Sequence, residues 1–248
     1  MSEHEVVAVI QARMGSTRLP GKVLRQLVGK PVLQHVIDRA RAAACIDRIV
    51  VATTALAEDD PIASCAARAA VGVTRGSVHD VLDRYAQAFR EHGGGIGVRI
   101  TSDCPCLDPV LLARAVQEFR QSDGAIDYLS NAEVRSYPRG YDIEVFRVDA
   151  LHIAAAEATD PSSREHVTPF LYRNTARFRT ATLTRPDPLG TASWRLTLDT
   201  EQDWRVLEHL FEALTPRDPM FGLSDVEGYI TRHPSVLDWN REVKQKVH

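Results

Sequence analysis

The chain of 248 residues is 44% hydrophobic and 25% charged, enough apolar material for one large α/β core. Its net charge of −3 and pI near 6.3 argue against a protein that coats nucleic acid, whose footprint would be basic. No apolar stretch is long enough to span a membrane, and the acidic start MSEHEVVAVI enters a strand directly, unlike a signal peptide, so a cytoplasmic location is expected.

Val6 to Ile10 is a short apolar run of the kind buried on both faces of a parallel sheet. It leads into a loop carrying Gly15, Ser16, Thr17 and Gly21 together with the cations Arg13, Arg18 and Lys22. Small residues let backbone N–H groups approach an anion while Arg and Lys neutralise it, so the loop reads as a polyphosphate site for a nucleoside triphosphate. It is not a Walker loop, since Val23 follows Gly21-Lys22, and no G-x-G-x-x-G follows the strand. The competing reading is a set of solvated loop charges.

Val32, Leu33, Val36, Ile37 and Ala40 recur at helical spacing after Pro31, and Arg48 to Thr53 is the next strand, which completes a βαβ unit. A helix from Asp60-Pro61 to about Ala70, a strand Val71 to Thr74 and a helix capped by Ser77 follow, the last ended by Gly93 to Gly95. Ile96 to Thr101 is a strand, and Asp108-Pro109 opens another helix. The half up to about residue 122 is therefore Rossmann-like.

Beyond Ser122 the rhythm changes. Tyr128 to Asn131, Tyr141 to Phe146, Arg179 to Leu183 and Trp194 to Leu198 read as strands separated by short helices, which predicts a mixed sheet or a small β excursion over the pocket. A helix over Thr200 to Leu214, a capping box Ser224-x-x-Glu227 and a charged tail helix from Trp239 close the chain, the tail expected at the surface or in a homodimer contact. With no linker and no internal repeat, residues 1–248 read as one domain. Cys45, Cys65, Cys104 and Cys106 fit unpaired packing thiols, and Cys104-Pro105-Cys106 is too tight for half a zinc site.

Two acids stand out. Asp103 in TSDCP and Asp199 in WRLTLDTEQDW each leave an apolar strand at the edge where α/β sheets bind ligands. A pair of such carboxylates suits Mg²⁺, which takes one or two carboxylates together with substrate phosphates. Read structurally, Asp103 would cap a turn and Asp199 a helix. Asp142 and Glu144 share a face if their segment is a strand, and with Arg139, Arg164 and His166 they are candidates for an acceptor pocket that could meet an anionic sugar. A capped helix start and a solvated strand are the alternative.

IQARMGSTRLPGKVL, RGSVHDVLDRY, TSDCPCLDP, YPRGYDIEVF, REHVTPFLYRN and RLTLDTEQDW occur in this order between Ile10 and Trp204. These stretches resemble the SpsF family of spore coat polysaccharide biosynthesis proteins, relatives of the CMP-sugar synthetases for ketodeoxyoctonate and sialic acid. The resemblance implies a Rossmann-like, GT-A-type nucleotidyltransferase, a three-layer α/β/α fold with a mixed, mostly parallel sheet. It implies CTP and a sugar as substrates, Mg²⁺ as cofactor, and CMP transfer to a sugar hydroxyl with loss of pyrophosphate. Arg13, Ser16 and Lys22 then match the phosphate ligands, Asp103 and Asp199 the metal positions, and Ala12 and Gly15 nucleotide contacts through the backbone. Gly76, Ser77 and Asp80 match the segment for base and ribose. In the transfer, Mg²⁺, Lys22 and Arg13 would stabilise charge building on the phosphate oxygens. Two features depart from the relatives: Ser102-Asp103-Cys104-Pro105 replaces the Gly-Asp-Glu-Pro-like run of the ketodeoxyoctonate enzymes, and the closely spaced acid pair typical of the sialic-acid enzymes near Asp199 is lacking. The other readings are a glycosyltransferase of the same shape, whose D-x-D motif the sequence lacks, a transferase using another nucleotide, and a silent nucleotide-binding module.

Overall fold

The computed structural model describes residues 4–185 and 190–245. Four parallel strands, β1 (Val6–Gln11), β4 (Arg48–Thr54), β5 (Gly72–Gly76) and β6 (Ile96–Thr101), form one side of the main sheet. The second half of the chain adds β7 (Tyr128–Ser130), β8 (Glu144–Arg147) and β9 (Thr180–Thr182), giving the order β5-β4-β1-β6-β8-β7-β9. β8 runs antiparallel to both β6 and β7, while β9 is parallel to β7, so the sheet is mixed and mostly parallel. A small hairpin, β2 (Gln26–Leu27) with β3 (Lys30–Pro31), was not evident from periodicity because each strand is two residues long.

Helices cover both faces. Val6, Ala8 and Ile10 of β1 pack in a core with α1 (Val32–Ala42), α2 (Asp60–Arg68), α4 (Pro109–Gln121), α8 (Glu201–Leu214) and α9 (Leu223–Arg232). Val7 and Val9 face the opposite core, built with α3 (Val81–His92), α5 (Val148–Glu157) and α7 (Pro169–Arg173). The unbroken apolar run of β1 is thus explained by burial on both sides. A short helix, α6 (Pro161–His166), lies between α5 and α7. Among the described residues, no helix is long and apolar enough to cross a membrane. All four cysteines are free thiols.

Several boundaries differ from the sequence reading, each for a local reason. Asp80, rather than Ser77, caps α3, accepting the Asp83 N–H at 2.8 Å, while the Ser77 hydroxyl receives the His79 and Asp80 N–H groups in the preceding turn. At α9 the reciprocal acid is Asp225, bonded to the Gly222 N–H at 2.8 Å; Glu227 is drawn into an ion pair with Arg185 instead. The tail begins as a 3-10 turn over Pro234–Asn240 rather than a charged α-helix, and residues 246–248 lie outside the described part.

The segment Trp194 to Leu198 is apolar enough for a strand, yet it makes only an isolated bridge between Arg195 and Arg139. Its backbone pairs with loops: Leu196 N–H reaches the Arg139 carbonyl at 2.7 Å and Leu198 N–H the Asp103 carbonyl at 2.8 Å. Gly140 permits that approach. It has φ +109°, and a Cβ there would lie 2.3 Å from the Leu196 carbonyl oxygen. Gly140→Ala should therefore add about 1–3 kcal/mol of strain, seen as a Tm lower by roughly 2–12 °C in thermal melts.

Candidate active site

The carboxyl ends of β1 and β6 open into a cavity of about 340 Å³. Its floor and first wall come from Gln11, Ala12 and the loop after β1, with Arg13, Ser16, Thr17, Arg18 and Lys22 turned toward it. Thr101, Ser102 and Asp103 leave β6 on the next side; Val78, His79, Val81 and Arg84 around the start of α3, and Glu165 and His166 of α6, complete the enclosure with Asp199.

The loop is tied down rather than loose. The buried Asp59 carboxylate accepts the Met14 N–H at 2.7 Å and the Thr54 hydroxyl. Met14 carbonyl then receives Ser16 N–H at 2.8 Å and Gly21 N–H at 3.0 Å, a closure that needs the positive φ of Gly21, +69°. Ser16 Oγ accepts the Leu19 N–H at 3.4 Å. This folding delivers Lys22 to the centre of the site.

There Lys22 Nζ lies 2.9 Å from Asp103 Oδ2, 2.9 Å from Asp199 Oδ1 and 2.6 Å from the Leu198 carbonyl. Burial opposes its charge, but Asp103 and Asp199 outweigh that, and its pKa lies above the ordinary lysine value. Burial alone would raise the Asp199 carboxyl; Lys22, Arg18 and Arg195 overcome it and hold the group below the usual carboxylate range. Arg18 and Arg195 approach Asp199 Oδ2 at 3.0 and 2.7 Å.

Asp199 is not the helix cap that its sequence position allowed, and the Asp103 carboxylate accepts from Lys22 and the Cys104 thiol rather than capping a turn. Thr200 caps α8 in a capping box with Asp203, and Asp108 caps α4, accepting the Val110 N–H at 2.7 Å and the Leu111 N–H at 3.1 Å. Asp199 follows a loop segment rather than a sheet strand, and its convergence on Asp103 comes from the loop pairing described above.

The remaining candidates separate. Gly15 lines a shallower neighbouring depression with Glu58 and Pro20. Gly76, Ser77 and Asp80, between the end of β5 and the cap of α3, are not among the residues that line the cavity, and Asp80 pairs with Arg164 at 3.2 Å. His166 is on the cavity wall. Asp142 and Glu144 do not share a strand face, because β8 starts only at Glu144. Asp142 is held by Arg135 at 2.6 and 3.1 Å. Both Glu144 oxygens are engaged, one by Arg99 at 2.7 Å and one by the Thr168 hydroxyl at 2.7 Å. Arg164 donates to the carbonyls of Ala155 and Ala158 at the end of α5. Arg139 is half-buried on the loop that pairs with Trp194 and Leu196, outside the cavity wall.

Thr17 and Arg18 of the expected phosphate loop line the cavity, as do His79 and Arg84, which no sequence motif places at the site. For Arg84 a signal existed: it follows Val81 by three residues, on the apolar face of the α3 pattern, where an unpaired arginine is out of place.

An α/β sheet whose ligand edge sets a cationic, glycine-bearing loop against two aspartates defines a protein of the nucleotidyltransferase type. The comparisons agree and narrow the class. The sequence pattern of the family described as Cytidylyltransferase matches residues 7–210, and the chain belongs to that family. Its relatives include the spore coat polysaccharide biosynthesis protein SpsF of Bacillus subtilis, 31% identical over 93% of this chain and 96% of that protein. A 3-deoxy-manno-octulosonate cytidylyltransferase of Trichlorobacter lovleyi is 36% identical over 48% of this chain and 47% of its own length. The solved cytidylyltransferase of Leptospira borgpetersenii superposes with a TM-score of 0.88 at 31% identity, covering 98% of this chain and 99% of that one.

The anchoring of the loop is testable by itself. Asp59→Ala leaves the Met14 N–H without its buried acceptor, at a cost of about 1–3 kcal/mol. Hydrogen–deuterium exchange should show faster exchange across residues 13–18 in that variant, and unchanged protection would mean that Asp59 does not hold the loop.

Proposed function

We propose that this protein transfers CMP from CTP to a hydroxyl of a sugar acid, releasing pyrophosphate, in the cytoplasm and for cell-surface polysaccharide. The observation that carries the reading is the meeting of Lys22 with Asp103 and Asp199, each 2.9 Å from the ammonium, at the mouth of the glycine-bearing loop. The relatives' names, one in polysaccharide biosynthesis and one a cytidylyltransferase for an eight-carbon sugar acid, support the substrates.

The donor set fits Mg²⁺. Two carboxylates meet on one cation, here the Lys22 ammonium, and a pair of carboxylates beside a phosphate-binding loop is the donor chemistry that Mg²⁺ takes together with substrate phosphates. Asp103 and Asp199 would hold the ion, which when bound neutralises charge on the triphosphate oxygens. Lys22, Arg13 and Arg18 bind and orient the triphosphate so that the α-phosphorus faces the acceptor side of the cavity, by Glu165 and His166. The sugar hydroxyl oxygen forms a bond to the α-phosphorus as the bond to the β-phosphate oxygen breaks. Pyrophosphate departs with the electron pair, and the hydroxyl proton is released. No covalent enzyme intermediate is needed, so Ser16 is a hydrogen-bond donor rather than a nucleophile.

Pyrophosphate release should be seen with CTP alone among the four nucleoside triphosphates when Mg²⁺ and a panel of sugar acids are supplied. Release from another triphosphate, or consumption of a nucleotide-sugar in its place, would refute the assignment. Asp103→Asn and Asp199→Asn should each lower kcat by about 100-fold or more while circular dichroism stays native. Lys22→Met should raise the KM for CTP at least about tenfold, and wild-type kinetics would remove Lys22 from the substrate site.

A further inference from the structure

Arg84 is 2% exposed, yet no carboxylate pairs with it among the described residues. Its described hydrogen bond runs from Nη1 to the Ser77 carbonyl at 2.5 Å, and its buried Nε has no partner. Removing a guanidinium from water without an opposing charge is costly, so an uncompensated buried cation is retained only where something else completes it.

The surroundings are built to keep it there. Gly76 lies against its stem, and a Cβ at that position would come within 3.3 Å of Arg84 Cγ and 2.9 Å of Gln87 Oε1. The Ser77 carbonyl fixes the head, and the guanidinium lines the cavity beside Val81 at the amino end of α3, where the helix dipole also favours negative charge. The nearby acids are committed elsewhere: Asp59 to the Met14 N–H and Thr54, Asp80 to the Asp83 N–H and Arg164. Arg13, across the cavity, is exposed and likewise has no ion-pair partner among the described residues. Burial, and secondarily the charge of Arg13, depress the Arg84 pKa. Two cations facing one cavity without a carboxylate between them form a receptor for an anion.

We propose that Arg84 and Arg13 together clamp one phosphate group of the bound nucleotide, Arg84 supplying from α3 a contact that the loop after β1 cannot make. This assignment rests on the nucleotide reading above and adds a phosphate ligand outside the loop. Arginine suits the task, because its planar fork can donate two N–H groups to one phosphate.

The test is calorimetric titration of wild-type, Arg84→Met and Arg84→Lys protein with CTP, inorganic tripolyphosphate and cytidine, Mg²⁺ present throughout. Arg84→Met should weaken CTP and tripolyphosphate by the same factor, about 10-fold to 100-fold, leave cytidine unchanged, and be partly rescued in Arg84→Lys. Without ligand, Arg84→Met should melt at or above the wild-type Tm, because an uncompensated buried charge has been removed, while its CTP-induced rise in Tm shrinks. A loss confined to cytidine and CTP, with tripolyphosphate binding intact, would overturn the proposal in favour of base recognition. A lowered Tm with undiminished CTP binding would overturn it in favour of a structural role. Wild-type protein that binds neither CTP nor tripolyphosphate would instead defeat the nucleotide reading on which the clamp depends.

Discussion

The ammonium of Lys22 joins two parts of the chain that secondary structure alone does not connect. Asp103 lies two residues beyond β6, in the turn that leaves the parallel half of the sheet, whereas Asp199 sits on a loop some 96 residues later, held by no strand of that sheet. Two carboxylates this close repel one another, and a buried cation between them turns that repulsion into attraction. In this structure the three groups compensate one another. Removing the lysine would leave two anions in a partly dry cleft, and removing either acid would leave a mostly buried lysine with half its compensation.

The rest of the architecture can be read as scaffolding for that meeting. β1 is buried on both faces, which fixes where the loop begins; Asp59 and the Gly21 turn fix its path; and the capping of α8 by Thr200 and Asp203 leaves Asp199 free to turn toward the cleft. Arg195 ties these pieces together, donating to Asp199 at 2.7 Å and to Asp203 at 2.8 Å. Asp203 thus orients its neighbour without facing the substrate cavity.

Periodicity and capping made the parallel half legible, because strands buried on both faces and amphipathic helices carry strong local signals. The aspartates were legible for a related reason: acids that follow apolar runs are conspicuous. What local pattern could not convey was pairing. Trp194 to Leu198 has the composition of a strand, but the carbonyls of Arg139 and Asp103 pair with its backbone in loops, at an approach that Gly140 permits. Glu144 looked like a sugar ligand because nothing in its own segment announces that Arg99, from another strand, and Thr168, from the start of α7, will engage both its oxygens. Arg84 was overlooked for the converse reason, since an arginine in a helix is ordinarily solvated and only tertiary contacts reveal that this one is buried.

The distribution of uncompensated charge carries the last step. Away from the cavity lining the chain pairs acids with arginines: Asp142 with Arg135, Glu144 with Arg99, Glu227 with Arg185. Beside the loop and α3 it does the opposite, placing Arg13 and Arg84 where no carboxylate meets them among the described residues. A fold that neutralised every charge internally would gain stability and lose its grip on a polyanion. The cations left over in the cavity are therefore the part of its electrostatics that folding does not satisfy, and a ligand of several negative charges is what they are suited to receive.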